Sequence, residues 1–266
     1  MTDYVLVTGA GSGIGRAVAL RMARERVPMI LAGRPASTEA TRRLVLEAGG
    51  QAEVFPCDLE DHARIREELP ALVASKNARR WGVVLAASTL DAEAGRMDAG
   101  EFDRVFRTNV TGNLSVLEAC LPEMLKNKAG RAVLFAGGGA AYAYPAFPAY
   151  ALSKVSTVRL VENLAATHGD ESGVSFVCVA PGAVETPMLA RVIAAGGEVK
   201  TKTAMEEPVE FVRFYLSSDS MTLNGRYVHV RDEWRAVLEG SYKLSPDQFF
   251  LRRVSHRSHS LRETRS

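Results

Sequence analysis

Seven short apolar runs recur along the chain, at 5–7, 29–32, 52–55, 83–87, 132–136, 174–180 and 225–230. Most are apolar at nearly every position instead of every second one; 52–55 is the weakest. A strand without alternation needs cover on both of its faces. Between the runs lie stretches of helical period, and the pattern predicts helices over 13–25, 37–48, 60–76, 101–127, 149–168 and 207–217. Repeated strand–helix alternation, joined by right-handed crossovers, gives the α/β class: a doubly wound parallel sheet in three layers.

The 266 residues suit a single domain over 1–240, with 241–266 as a partly flexible C-terminal extension, rich in Arg and Ser from Leu251 onward. Segment 182–206 has no clear period and holds Gly196-Gly197, which fits either a mobile substrate loop or a plain surface connection. Cys57, Cys120 and Cys178 are widely spaced and odd in number, which predicts buried thiols in a reducing compartment and no disulfide framework. A net charge of +2 supplies no strong field for nucleic acid or a membrane surface. The N-terminus has no basic and long apolar regions of a signal peptide, and no spanning run of apolar residues occurs, so a cytoplasmic location is expected. No metal site is expected.

The segment Thr8-Gly9-Ala10-Gly11-Ser12-Gly13-Ile14-Gly15 directly follows the first run and opens the first helix. Glycines let a backbone turn tightly and approach a pyrophosphate, and the helix N-terminus offers N–H groups and a favourable dipole. In this strand–turn–helix setting Gly9, Gly11, Ser12, Gly13, Ile14 and Gly15 are candidate dinucleotide contacts. An acidic residue at the end of the second strand would bind a ribose 2′-hydroxyl. Arg34 stands there instead and offers a planar cation to a 2′-phosphate, with Ser12 as a second donor, which favours NADP(H) over NAD(H). After the third strand, Asp58 can either accept from an adenine amino group or cap the next helix; Leu59 follows it.

Tyr150 and Lys154, four residues apart, share one face of a helix. A phenol with a reference pKa of about 10 is a poor base. A neighbouring ammonium favours phenolate, so the pair is expected to lower the Tyr150 pKa and to move a proton at a carbonyl or alcohol oxygen.

With these motifs the chain resembles the short-chain dehydrogenase/reductase family over about residues 3–230. The resemblance rests on the glycine turn, on Asn109-Val110-Thr111-Gly112, on Tyr150-Ala151-Leu152-Ser153-Lys154, and on Pro181-Gly182-Ala183-Val184-Glu185-Thr186-Pro187-Met188. It implies a Rossmann fold and hydride transfer between a nicotinamide and a carbonyl or secondary alcohol. Tyr150 would be the general acid or base, Lys154 would hold the nicotinamide ribose, and Asn109 would bind a relay water. Val184 and Thr186 would hold the carboxamide, with Pro181, Gly182 and Ala86 also beside the cofactor. It further implies a homodimer or homotetramer built through 101–127 and 149–168. Two departures stand out. The family's serine, thirteen positions before the tyrosine, is Gly137 here, within Ala136-Gly137-Gly138-Gly139-Ala140. Ser88, Tyr142, Tyr144 or the backbone of the glycine run could supply the missing donor. Leu85-Ala86-Ala87-Ser88-Thr89 replaces the family's Asn-Asn-Ala-Gly. Gly137-Gly138-Gly139, Trp234 and Leu251-Arg252-Arg253 resemble a bacterial branch of the family, which implies a variant enzyme. Two rival readings are a non-catalytic NADP-binding regulatory or scaffold protein and a nucleotide-sugar epimerase or dehydratase. The second would need a longer substrate domain than the residues after Gly225 provide.

Overall fold

The computed structural model describes residues 2–197, 199 and 202–252. Seven strands form one parallel sheet: β1 (Tyr4–Thr8), β2 (Met29–Gly33), β3 (Ala52–Pro56), β4 (Trp81–Leu85), β5 (Gly130–Phe135), β6 (Val174–Ala180) and β9 (Arg226–His229). Their order is β3-β2-β1-β4-β5-β6-β9, so the chain winds outward from β1 in both directions. Between these strands run α1 (Gly13–Arg24), α2 (Pro35–Glu47), α3 (His62–Ser75), α4 (Ala99–Phe106), α5 (Asn113–Lys126), α6 (Pro148–His168) and α8 (Glu206–Ser217). The doubly wound, three-layer α/β fold expected from the alternation is the one observed.

Successive strand residues point to opposite faces, and the core divides accordingly. Val5 and Val7 join Val18 and Met22 of α1 and Phe211 and Tyr215 of α8 on one face. Leu6 joins Ile65 and Leu69 of α3, Leu117 and Cys120 of α5, and Val158 of α6 on the other. Double cover is why β1, β2, β4, β5 and β6 lack alternation; β3, at an edge, has a mostly half-buried or exposed sequence. All three cysteines are buried and unpaired, as expected.

Two expectations are refined. The helix predicted over 101–127 is three pieces, with a π-helical turn, Arg107–Gly112, between α4 and α5. Segment 182–206, read as irregular, contains β7 (Ala183–Val184), α7 (Pro187–Ala194) and β8 (Lys202–Thr203), although residues 198, 200 and 201 lie outside the described set. Thr186 caps α7 by accepting from Leu189 N at 3.2 Å. A last short helix, α9 (Trp234–Leu238), packs Trp234 edge-on against Phe211.

Past α9 the chain returns to the sheet. Tyr227 N donates to Phe249 O at 2.8 Å. Leu251 N and Arg252 both reach the Glu162 carboxylate on α6. Arg253 and the rest of the expected flexible extension, 253–266, lie outside the described residues. Among the described residues no helix is long and apolar enough to cross a membrane, and no cluster of His, Cys, Asp and Glu could hold a metal ion.

Candidate active site

β1 and β4 are neighbours in the sheet but are separated in sequence by two strand–helix units, so the connections from their ends diverge. That divergence opens a crevice at the carboxyl ends of the strands, the usual ligand site of such sheets. Here it is a cleft of about 530 Å3.

Its floor is the glycine turn. Gly9 has φ +62°, and a Cβ there would lie 2.8 Å from the backbone of Ala87. That contact is tied by a closed set of hydrogen bonds. Ala87 N donates to Thr8 Oγ1 (3.0 Å), Thr8 Oγ1 donates to Asn113 Oδ1 (2.8 Å), and Asn113 Nδ2 donates to Ala87 O (2.9 Å). The small Ala86-Ala87 pair leaves no side chain to make this tie, and Asn113 makes it from α5. Asn113 was not selected from sequence, although it lies one turn after Asn109 on the same face.

Gly13 and Ile14 open α1, whose first-turn N–H groups have no partner within the helix. Ser12 precedes them, exposed, with its hydroxyl making no cap bond. Arg34 is exposed just past β2. Ser37 reaches the same corner: a Cβ on Gly11 would fall 2.3 Å from its Oγ. Asp58 accepts from Glu60 N at 3.0 Å, while Asp61 caps α3 by accepting from Arg64 N. The helix-cap alternative for Asp58 is therefore removed, and α3 begins at His62 instead of 60.

Tyr150 and Lys154 rise from the first turns of α6 into the cleft. The helix start is held by Asp91, whose buried carboxylate accepts from Ala149 N (3.0 Å) and Tyr150 N (2.9 Å). Two helix-end donors thus meet a negative charge, the best partner for them. Asp91→Ala should cost about 1–3 kcal/mol of folding stability, because both N–H groups would stay buried without an acceptor. A denaturant midpoint measured against wild type checks this; an unchanged midpoint refutes it.

Lys154 Nζ donates to Phe135 O at 3.0 Å and lies 5.2 Å from the centre of the Tyr150 ring. Burial lowers the Lys154 pKa to about 8. Tyr150 moves opposite to expectation: burial, with smaller contributions from Tyr144 and Tyr227, pushes its phenol well above the usual range. Burial governs the phenol, and the Lys154 ammonium directs its hydrogen bond to the Phe135 carbonyl oxygen instead. Tyr150 is therefore held protonated.

Asn109 is buried in the π-helical turn. Its Oδ1 accepts from Thr89 N (2.7 Å), and its Nδ2 donates to Thr89 O (2.9 Å) and Ser153 Oγ (3.0 Å). Its carbonyl oxygen accepts from Asn113 Nδ2 at 3.0 Å. Beside the turn, Pro181 and Thr186 line the cleft, and Thr186 Cγ2 would sit 3.2 Å from a Cβ on Gly13. Val184 is buried and paired with Thr203, and Gly182 is exposed at the bend before β7. Of the residues singled out from sequence, Gly9, Gly11, Ser12, Gly13, Ile14, Gly15, Arg34, Asp58, Leu59, Ala86, Tyr150, Lys154, Pro181 and Thr186 line this one cleft; Asn109, Gly182 and Val184 flank it.

Gly137 has φ 178°, an extended conformation open to any residue. Its missing side chain matters for another reason: a Cβ there would lie 2.8 Å from Tyr150 Oη. The N–H groups of Ala140, Ala141 and Tyr142 are used inside the following turn.

Residues 3–196 match the family model described as short chain dehydrogenase. The chain belongs to the short-chain dehydrogenase family. It is 31% identical over 193 residues to the 3-oxoacyl-[acyl-carrier-protein] reductase FabG of Aggregatibacter actinomycetemcomitans, covering 71% of this chain and 79% of that one. It is 28% identical to the levodione reductase of Leifsonia aquatica, covering 85% and 91%. Among solved structures, a Beutenbergia cavernae protein assigned as an NAD(P)-dependent gluconate 5-dehydrogenase, with NADP bound at low occupancy, superposes with a TM-score of 0.79 at 27% identity, covering 88% and 97%. As a short-chain dehydrogenase with a Rossmann-type sheet, the protein is an NAD(P)-dependent oxidoreductase. The cleft fits that cofactor. The open N–H groups of α1, directly after the glycine turn that lines the cleft, are what a dinucleotide pyrophosphate requires.

Proposed function

We propose that the protein transfers hydride between NADP(H) and a carbonyl or secondary alcohol, with Tyr150 as general acid in reduction and base in oxidation. The observation that carries this reading is the Tyr150 phenol. It stands at the cleft wall beside Lys154, on a helix start fixed by Asp91. A phenol in this position can give its proton to a carbonyl oxygen. NADPH, when bound, supplies the hydride; the protein supplies position and the proton.

Lys154, with its ammonium within the cleft, is the residue to hold the nicotinamide ribose and to stabilise phenolate once the Tyr150 proton has left. The Asn109 amide is committed to Thr89 and Ser153, so a relay water would bind the second lone pair of its backbone oxygen, the first accepting from Asn113 Nδ2. Thr186 Oγ1 only accepts in its cap bond, so its O–H remains to donate to a carboxamide oxygen. Asp58, with its cap role removed, keeps a carboxylate oxygen for an adenine amino group.

Arg34, Ser12 and Ser37 form the corner for a 2′-phosphate. The test is a carbonyl panel read by loss of reduced-nicotinamide absorbance with NADPH and with NADH. Arg34→Ala should raise KM for NADPH about tenfold or more, the loss of one charged hydrogen-bonding partner, and leave NADH within about twofold. Equal losses for both would refute the NADP(H) preference. Assembly as a homodimer or homotetramer is supported by α6, where Leu152 and Val155, nearly one turn apart, are 48% and 36% exposed.

A further inference from the structure

Carbonyl reduction with Gly137 in the serine's place leaves the substrate oxygen short of one hydrogen bond. The structure fills the space around Gly137 in an unexpected way. On one side, the position its Cβ would occupy is 2.8 Å from Tyr150 Oη. On the other, Tyr227 Oη donates to Gly137 O at 3.4 Å. Tyr227 starts on β9, in register with Cys178 of β6, and must reach past β6 to the end of β5 to make that contact. Two phenols therefore converge on one glycine, from its Cα side and from its carbonyl side.

The geometry points to Tyr227 as the second hydrogen-bond donor to the substrate oxygen, a catalytic residue that takes over from the side chain missing at Gly137. This rests on the carbonyl-reduction reading. At 3.4 Å the bond to Gly137 O is long for a hydroxyl donor, so the proton turns readily to a better acceptor placed beside Tyr150 Oη. Burial pushes the Tyr227 phenol up, so it keeps its proton. The other candidate hydroxyls fit less well. Tyr142 is 80% exposed, and Ser88, whose buried hydroxyl has no partner, lines the cleft beyond β4 and is the rival that the paired variants separate.

In reduction, the carbonyl carbon receives the hydride, the carbon–oxygen π bond opens, and the oxygen takes the Tyr150 proton. NADPH is oxidised to NADP+ and the carbonyl is reduced to the alcohol. Tyr227 transfers nothing; its hydrogen bond strengthens as negative charge grows on the oxygen, which is where a donor accelerates the step.

The test is Tyr227→Phe in the full chain, beside Ser88→Ala, with a ketone that the wild type reduces. Phe keeps the ring and removes only the hydroxyl. The expected result is a fall in kcat of about a hundredfold, with KM for the ketone, the NADPH Kd by fluorescence titration, and Tm nearly unchanged. Ser88→Ala should lose far less kcat than Tyr227→Phe. A Tyr227→Phe kcat within about threefold of wild type overturns the assignment, and so does a kcat loss that comes with weakened NADPH binding and a lower Tm, the mark of a structural role. A large loss in Ser88→Ala with Tyr227→Phe silent would move the donor to Ser88. If the wild type reduces no ketone, the carbonyl-reduction reading falls first and this one with it. An active wild type with a silent Tyr227→Phe overturns Tyr227 alone.

Discussion

Tyr150→Phe should lower kcat for carbonyl reduction by about 10²–10⁴-fold, the usual worth of a positioned general acid, while leaving NADPH binding and Tm close to wild type. The split follows from the surroundings of the side chain. The ring packs with Tyr144, at a centroid distance of 6.4 Å, and under the Lys154 ammonium. Phe preserves both. The hydroxyl faces the gap left by Gly137, so its removal opens no cavity in the apolar core. A loss confined to kcat separates chemistry from packing. Retained activity, within about threefold, would sink Tyr150 as the general acid.

Most of the fold was legible because the sheet is covered on both faces. Double cover forces continuous apolar runs, and those runs mark strands without any knowledge of partners. The elements that escaped notice are short. α7 and α9 span eight and five residues, too few for a helical period to emerge, and β7 and β8 are two residues each. The π-helical turn at Asn109 escaped for a different reason: shifting one hydrogen-bond register leaves the apolar pattern of the surrounding helices almost unchanged.

The site divides in the same way. The glycine turn and the Tyr150–Lys154 pair are local in sequence, and their spacing carries their geometry. Asp91, Ser37 and Tyr227 arrive through tertiary packing, and nothing adjacent to them in the chain announces it; Asn113 had a local signal in its spacing from Asn109, but its tie to Thr8 and Ala87 is tertiary. The acidity of Tyr150 was misread for a related reason. Helical spacing brings a lysine to the same face, but whether charge or burial governs a phenol depends on what covers the site. Here the Lys154 bond to Phe135 O and the surrounding apolar wall decide it.

Lys154→Met should separate stability from activity. An ammonium that is 3% exposed carries a desolvation cost, visible in the depression of its pKa from 10.5 to about 8. The sign follows from linkage. Below about pH 8 the lysine is charged in both folded and unfolded chains, and the cost is fully present. Between about 8 and 10.5 the folded protein sheds the proton before the unfolded chain does, so the cost shrinks. Above that range it is gone. Methionine has no such cost at any pH, but it also loses the bond to Phe135 O. The stability of Lys154→Met relative to wild type should therefore be most favourable near neutral pH and decline by up to about 3 kcal/mol as pH rises to 10.5. Denaturant midpoints near pH 7 and pH 10 measure this directly. A difference that is flat or grows with pH would show that the ammonium is not held at a cost. The same variant should lose at least about a hundredfold in kcat/KM, because the cation that stabilises the departing charge on Tyr150 is absent.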